Sequence, residues 1–254
     1  DDQPVVATST ADNYCVKETF NYIKFSDIMS TVVNNAFSSS GAPNPADPII
    51  FHLRIKSENQ NMYKNLAKIF EQHSDLLMGK AYSFENMKNN HVTNYGTTPL
   101  TEMMGKISII VDRSNLAFLE YKEFYEYVNM TSNSIFMREL TFDDIKYNSD
   151  IQELIEYNKL SMTIAIPNAG SNPDNPSSVV LREAGCQMLA MRYQNIESNI
   201  EENEAFFNEN NSAFVLKPLA LRYTQVTIPA PPPQDPALSY KQRNVSSQYY
   251  SFNI

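Results

Sequence analysis

Arg182-Glu-Ala-Gly-Cys-Gln-Met-Leu-Ala-Met-Arg-Tyr-Gln-Asn195, followed by Ala213-Phe-Val-Leu-Lys-Pro218 and Arg222, is the stretch on which the fold turns. Small and apolar residues alternate through its middle, as they do in a parallel strand covered on both faces, where bulk would overpack the interior. The pattern places Gly185, Cys186 and Gln187 on a core strand, with Met188 and Ala190 packed against helices. Ala184 to Tyr193 is the segment expected to contain it.

Working backward, Met162 to Ile166 reads as a strand and Asp150 to Asn158 as a helix, with a Pro/Asn/Gly loop from Pro167 to Pro176. Ile107 to Val111 and Ile49 to Ile55 are nearly continuous apolar runs, again suited to parallel strands buried on both sides. Between them, Ser57 and Gln60 form a capping-box pattern that opens a helix reaching to about Leu77, with Met62, Leu66, Ile69, Phe70, Leu76 and Leu77 facing inward. Leu100 to Met104 reads as a short helix stopped by Gly105. Ser26 to Phe37 reads as a helix with Ser26 as N-cap and Ile28, Met29, Val32, Val33, Ala36 and Phe37 on one face. From Asp112 to Asp150 the periodicity weakens while aromatics accumulate. The alternation of strands and helices predicts a parallel α/β arrangement.

The 254 residues carry a net charge of -9, two cysteines and three histidines. An acidic chain lacks the basic face needed to displace counterions from nucleic acid, or to dock on anionic lipid. Nucleic acid is excluded as a partner and lipid binding is disfavoured. No run of 18 apolar residues exists to form a transmembrane helix. Cys15 and Cys186 are too few for a disulfide scaffold and read as buried reduced thiols. The sequons Asn129-Met-Thr131 and Asn244-Val-Ser246 fit chance in an Asn-rich chain. The start, Asp1-Asp-Gln-Pro, has neither an initiator Met nor a signal-peptide pattern and reads as a fragment, a processed product or the visible part of something longer.

Ile228-Pro-Ala-Pro-Pro-Pro-Gln-Asp-Pro236 is a polyproline-like spacer. The expected division is therefore a domain over 1–228 and an extended Pro-rich arm over 229–254. Tyr240, Tyr249, Tyr250 and Phe252 are the candidate partner-binding residues of that arm, because large rigid side chains anchor interfaces. Its alternative is a disordered end.

The opening stretch resembles the closing segment of the catalytic barrel in eukaryotic phosphoinositide-specific phospholipases C, where the family writes Asn-Ala-Gly-Cys-Gln-Met-Val-Ala-Leu-Asn-Phe-Gln-Thr and then Leu-Lys-Pro and an Arg. Tyr157-Asn-Lys159 with Pro167, Thr101 to Val111, Pro48 to Leu53 and Phe25 to Ile28 are similar to further family segments, in order, from about Cys15 to Arg222. The resemblance implies a TIM-type (β/α) barrel. The family's first strands, with one catalytic histidine and two acidic calcium ligands, have no counterpart, so the expected fold is an incomplete or distorted barrel.

In that family calcium and two histidines cleave the phosphodiester. The second histidine would fall near Cys15, where the sequence has none. The calcium-ligating Glu falls on Arg54, the phosphate-gripping lysines on Ile110 and Asp112, and the Arg and Tyr of a further phosphate contact on Ile164 and Ile166. Among the remaining histidines, His52 on its strand reads as a satisfied buried or interface residue, His73 as lying on the polar side of a helix, and His91 as lying in a loop. Asp143-Asp144 and Glu201-Glu202 read as solvated acidic surface. No P-loop, GxSxG, HExxH or CxxC motif is present.

The expectation is a catalytically inactive, phospholipase C-like pseudoenzyme with no catalytic, metal or substrate-binding residues and no cofactor. It would act as a structural or interaction module among other protein subunits, as in a virion or capsid layer, and be intracellular or virion-associated. The alternatives are an active calcium-dependent phospholipase C with its first catalytic strands upstream, and a non-catalytic binder of phosphoinositide headgroups.

Overall fold

The computed structural model describes residues 2–7, 21–83, 95–170, 172–225, 227–234, 238 and 242–253. Cys15, His91 and Tyr240 lie outside them. The chain divides into two compact units, Asp1–Arg222 and Tyr223–Ile254.

In the first unit, β1 (Val5–Val6) pairs antiparallel with β2 (Ile23–Lys24). Helix α1 (Phe25–Asn35) follows β2 directly. Ser26 is not its N-cap. The cap is Lys24 without a side-chain bond, because Phe25 is drawn into the core against Phe51 and Phe70 as the first helical residue. Strand β3 (Ile49–Leu53) leads to α2 (Gln60–Glu71). The α2 cap is Asn59, whose side chain accepts from the amides of Asn61 and Met62; Ser57 instead accepts from the Asn59 amide. The helix ends before Leu76 and Leu77, although both keep its phase. Leu77 forms a parallel bridge with Ile107, and the Ile107 amide donates to the Leu76 carbonyl at 2.7 Å. The inward face of α2 buries Leu66, Ile69 and Phe70, each contributing roughly 1.5–3 kcal/mol.

Helix α3 (Leu100–Met103) stops before Gly105, whose φ of +68° is a left-handed conformation that glycine adopts without strain. Strand β4 (Ile107–Asp112) is buried at every position. The weakly patterned region then holds a short helix, α4 (Lys122–Tyr125), two strands, β5 (Met130–Ser132) and β6 (Met137–Thr141), and α5 (Phe142–Lys146). Helix α6 (Ile151–Leu160), capped by Asp150, leads to β7 (Met162–Ile166). Helix α7 (Ser178–Glu183), β8 (Met188–Leu189) and α8 (Ser198–Asn210) complete the unit.

The strands form two parallel three-stranded sheets, β3-β4-β5 and β6-β7-β8. Each backs onto its own helices. Ile107, Ile109 and Val111 of β4 pack with Phe25, Leu66 and Phe70, and Ala165 and Leu189 pack with Ile145, Leu154 and Leu181. The opposite faces share a third apolar layer, which contains Ile50, Ile110, Met130, Met137, Ile164 and Met188, one residue from each of the six strands. This is a mixed α/β fold with parallel sheets. Among the described residues no closed barrel forms; β4 and β7 are the central strands of their sheets, and β3, β5, β6 and β8 are the outer ones.

Strand β8 corrects the opening expectation. Gly185 (φ +75°) turns the chain out of α7, and Cys186 and Gln187 precede the strand. Cys186 is buried against the helices, Met188 faces the shared layer and Leu189 faces the helices. Gly185 and Gln187 sit off the strand because they form a hydrogen-bonded knot with Asn158 and Lys217, described below.

In the second unit, 227–234 has no helix or strand and is exposed throughout. Beyond it, β9 (Asn244–Ser246) and β10 (Ser251–Asn253) form an antiparallel hairpin, closed by Ser247 N–H donating to the Tyr250 carbonyl at 2.7 Å. The expectation of a simple extended arm did not include this hairpin.

Candidate functional site

Parallel strands point alternate side chains to opposite faces, so the residues that face the shared layer also define what stands at the strands' carboxyl ends. The register aligns Leu53 with Val111 and Asp112 with Ser132. It therefore brings together His52 on β3, Arg54 just beyond it, Asp112 ending β4 and Ser132 ending β5. Glu139 reaches the same cluster from β6, across the seam between the two sheets.

Arg54 is the centre of this group. Its Nε donates to Asp112 at 2.9 Å, and its terminal nitrogen donates to Glu139. Asp112 and Glu139 are almost fully buried, with side chains 1% and 6% exposed, whereas Arg54 keeps 43% of its side chain in solvent. Asp112 also accepts from the Ser114 hydroxyl (2.7 Å), the Ser114 amide (2.9 Å) and Asn133 (2.8 Å). Burial pushes its carboxyl up, but the bonds from Ser114 and Asn133 and the Arg54 charge outweigh it, so the group titrates below the ordinary carboxylate value. Asn133 reaches its partner from a left-handed conformation, φ +53°, which asparagine adopts more readily than most residues.

His52 Nε2 lies 2.8 Å from the Ser132 hydroxyl and 3.5 Å from Glu139. Burial holds the ring below its ordinary value, with Asp112 opposing and Arg54 adding to the effect, so it is neutral at pH 7. Ser, His and Glu meet here without forming a catalytic relay. Such a relay places hydroxyl and carboxylate on opposite ring nitrogens, whereas here both face Nε2, and Ser132 has no exposed surface. This matches the reading of His52 as a satisfied residue. The rest of the rim is apolar: Ile110 is 1% exposed and Ile164 6%, both within the shared layer, and Ile166 packs against it.

The second constellation lies at the opposite, amino-terminal ends of β7 and β8. Asn158 donates to the Ala184 carbonyl (2.9 Å) and accepts from the Thr163 hydroxyl (2.6 Å). Gln187 donates to the carbonyls of Asn158 (2.7 Å) and Ser161 (2.8 Å) and accepts from the Thr163 amide (2.8 Å). Lys217 donates to the carbonyls of Gly185 (2.6 Å) and Asn158 (3.0 Å). The decisive sequence motif is thus a polar knot that satisfies the backbone between α6, β7, α7 and β8, rather than a reactive centre. Burial pushes the Cys186 thiol up to about 12 and the Lys217 amine down to about 8.

The other sequence candidates are placed as follows. Asp144 completes a capping box with Thr141, and Glu202 pairs with Arg182 and Ser178, so neither acid is merely solvated surface. His73 lies past the end of α2 rather than on it. Asn129 is buried, bonded to the Ile109 amide and the Tyr82 carbonyl, so its sequon has no room for a glycan in the folded chain. In the second unit, Tyr249, Tyr250 and Phe252 are 89%, 56% and 50% exposed, and the Tyr250 and Phe252 rings lie 5.4 Å apart. Sequence reasoning missed Glu139, Ser132 and Asn133. Their only signal was polar residues recurring among apolar ones in a region with no clear period.

These features define an α/β protein with parallel sheets and a polar cluster where the strands end. Residues 111–220 match the family model of phosphatidylinositol-specific phospholipase C, Y domain. Through that segment the chain is related to the phosphoinositide-specific phospholipases C. No curated protein gives a significant match. The calcium ion implied by that family does not fit the residues present. The sequence resemblance would put one of its ligands at Arg54, whose guanidinium already bridges the two buried carboxylates, and among the described residues no three His, Cys, Asp or Glu side chains converge as a metal site.

Proposed function

We propose that this chain is a non-catalytic, phospholipase C-like module that binds other protein subunits in a larger assembly, such as a virion layer. The observation that carries the reading is the Arg54 guanidinium between Asp112 and Glu139. It places a fixed positive charge where hydrolysis by this family would need a metal, and it occupies the carboxylates that could hold one. Ile110, Ile164 and Ile166 supply no charge for a phosphorylated headgroup, and Asp112 would repel one. Lipid and nucleic acid are disfavoured partners for the same reason and because the chain is acidic.

The two sheets arranged around one apolar layer, with helices outside, support the reading of an incomplete TIM-type barrel. The binding surface is the second unit. Its hairpin is exposed on both faces, and two-stranded hairpins are at best marginally stable alone, so a partner that covers Tyr249, Tyr250 and Phe252 would stabilise it.

The test is release of inositol phosphates from phosphatidylinositol and its bisphosphate, with calcium and with chelator. No release above a heat-killed control is expected. Calcium-dependent release would establish the alternative, an active phospholipase C.

A further inference from the structure

We infer that the second unit recognises a second copy of itself, by pairing the outer edges of β10 from two chains into one four-stranded antiparallel sheet. The inference rests on the reading of that unit as the binding surface and adds to it the partner and the mode of contact.

The hairpin register aligns Val245 with Phe252, between the pairs Asn244–Asn253 and Ser246–Ser251. Side chains alternate between faces along each strand, so Val245 and Phe252 share one face, and the Tyr250 ring joins it 5.4 Å from that of Phe252. The other face is polar: Asn244 donates to Asn253 at 3.1 Å and accepts from the Ser251 hydroxyl at 3.1 Å. Ser247 and Tyr250 are a hydrogen-bonded pair, and pairs along an antiparallel ladder alternate between bonded and unbonded. Val245 and Phe252 therefore bond to each other, while the backbone groups of Ser251 and Asn253 point outward from β10. Among the described residues no strand pairs with that edge, and all three β10 residues are exposed.

Folded proteins protect such edges with charge, proline or a bulge. Arg243 stands at the entry to β9, but from Asn244 to Ile254 the sequence has no charged residue, no proline and no glycine. An uncharged edge offers nothing to a charged partner and does not repel its own copy. Two-fold pairing of β10 with β10 sets Phe252 opposite the Phe252 of the second copy at an unbonded position, with Cα atoms about 4.5 Å apart. The contact is closed by symmetry. It yields four strands with one continuous apolar face, where two strands alone are marginal.

The test follows the full chain by sedimentation equilibrium at rising concentration, where wild type should dimerise. Ser251→Pro removes an outward donor from each copy without touching the Val245–Phe252 bonds, and loss of the two bonds should weaken dimerisation roughly 10-fold or more. Ser246→Pro, its mirror on β9, should leave dimerisation unchanged. Cross-linking reads the register independently of whether a proline disturbs the hairpin. In a Cys15→Ser background, Phe252→Cys should give a disulfide-linked dimer under mild oxidant and Val245→Cys should not. Equal weakening by the two prolines, or cross-linking through Val245→Cys and not Phe252→Cys, would overturn the inference. A monomeric wild type would overturn it alone, leaving the second unit to bind a different protein. Dimerisation that survives Ser251→Pro but falls in Tyr249→Ala/Tyr250→Ala/Phe252→Ala would also reject the edge pairing alone, whereas dimerisation unchanged by deleting 229–254 would reject both it and the reading on which it rests.

Discussion

Cys186 and Lys217 titrate in opposite directions, and both shifts come chiefly from burial. A thiol at about 12 holds far less thiolate at pH 8 than a free cysteine near 8.5, about three orders of magnitude less. In a Cys15→Ser background, Cys186 should therefore react with a disulfide reagent only at the rate of global opening and become fast when urea unfolds the chain. Native labelling as fast as free cysteine would contradict the buried placement. For Lys217, the folded value of about 8 lies below the unfolded value near 10.5. Between those pH values the unfolded chain binds more protons, so stability should rise with pH there. Lys217→Met leaves the Gly185 carbonyl without its donor and should cost about 1–3 kcal/mol at pH 7. The urea-midpoint gap between wild type and variant should widen from pH 7 to pH 9.5, and a gap that narrows would show that the amine is not held as described. The residues of this knot were visible in the sequence, but their role was not. Alternation of small and apolar residues reads as strand, while the carbonyls that Gln187 and Lys217 satisfy come from turns distant in the chain. Arg54 was equally visible as a charge out of place, but its partner Glu139 is 85 positions away and carries no local signal.

Elements long enough to show a period were legible, and those fixed by a few polar contacts were not. Strand β7 and the core of β4 follow from their apolar runs, and α6 from its spacing, because burial of a continuous face determines each. Strand β5 has three residues, one of them the buried Ser132, and is set by Asn129, which bonds to the Ile109 amide beside it. Helix α5 has only five residues and begins where Thr141 and Asp144 cap each other. Asp144 titrates below its ordinary value because the Thr141 hydroxyl and amide both donate to it. A helix that short has few internal bonds, so its cap should carry a large part of its stability. Thr141→Ala should cost about 1 kcal/mol, with faster amide exchange confined to 142–147. Uniform loss of protection across the first unit would instead implicate the β6 strand end in a wider role. The same competition explains α2, where local phase favours helix through Leu77 but pairing of Leu77 with Ile107 takes those residues for the sheet.

At the scale of the whole chain, the Pro-rich composition after Ile228 separated the tail from the rest, and the compact unit ends at Arg222. The hairpin beyond it was not legible. Asn244 to Asn253 has mixed polarity and no strict alternation, and its turn relies on the bond between Ser247 and Tyr250 rather than on a glycine signal. An exposed hairpin gains little from its own contacts, and ordering it costs about 1–2 kcal/mol per residue of backbone entropy. Burial of Tyr249, Tyr250 and Phe252 against a partner would offset that cost, since large aromatics dominate interface energetics. Deleting 229–254 should then leave the first unit folded, with its unfolding midpoint within a few degrees of the full chain, while weakening assembly measured by sedimentation. The triple substitution Tyr249→Ala/Tyr250→Ala/Phe252→Ala should reproduce most of that weakening without shortening the chain. Assembly unchanged in both would reject the second unit as the binding surface. Assembly lost on deletion but kept in the triple variant would assign the contact to the Pro-rich spacer instead.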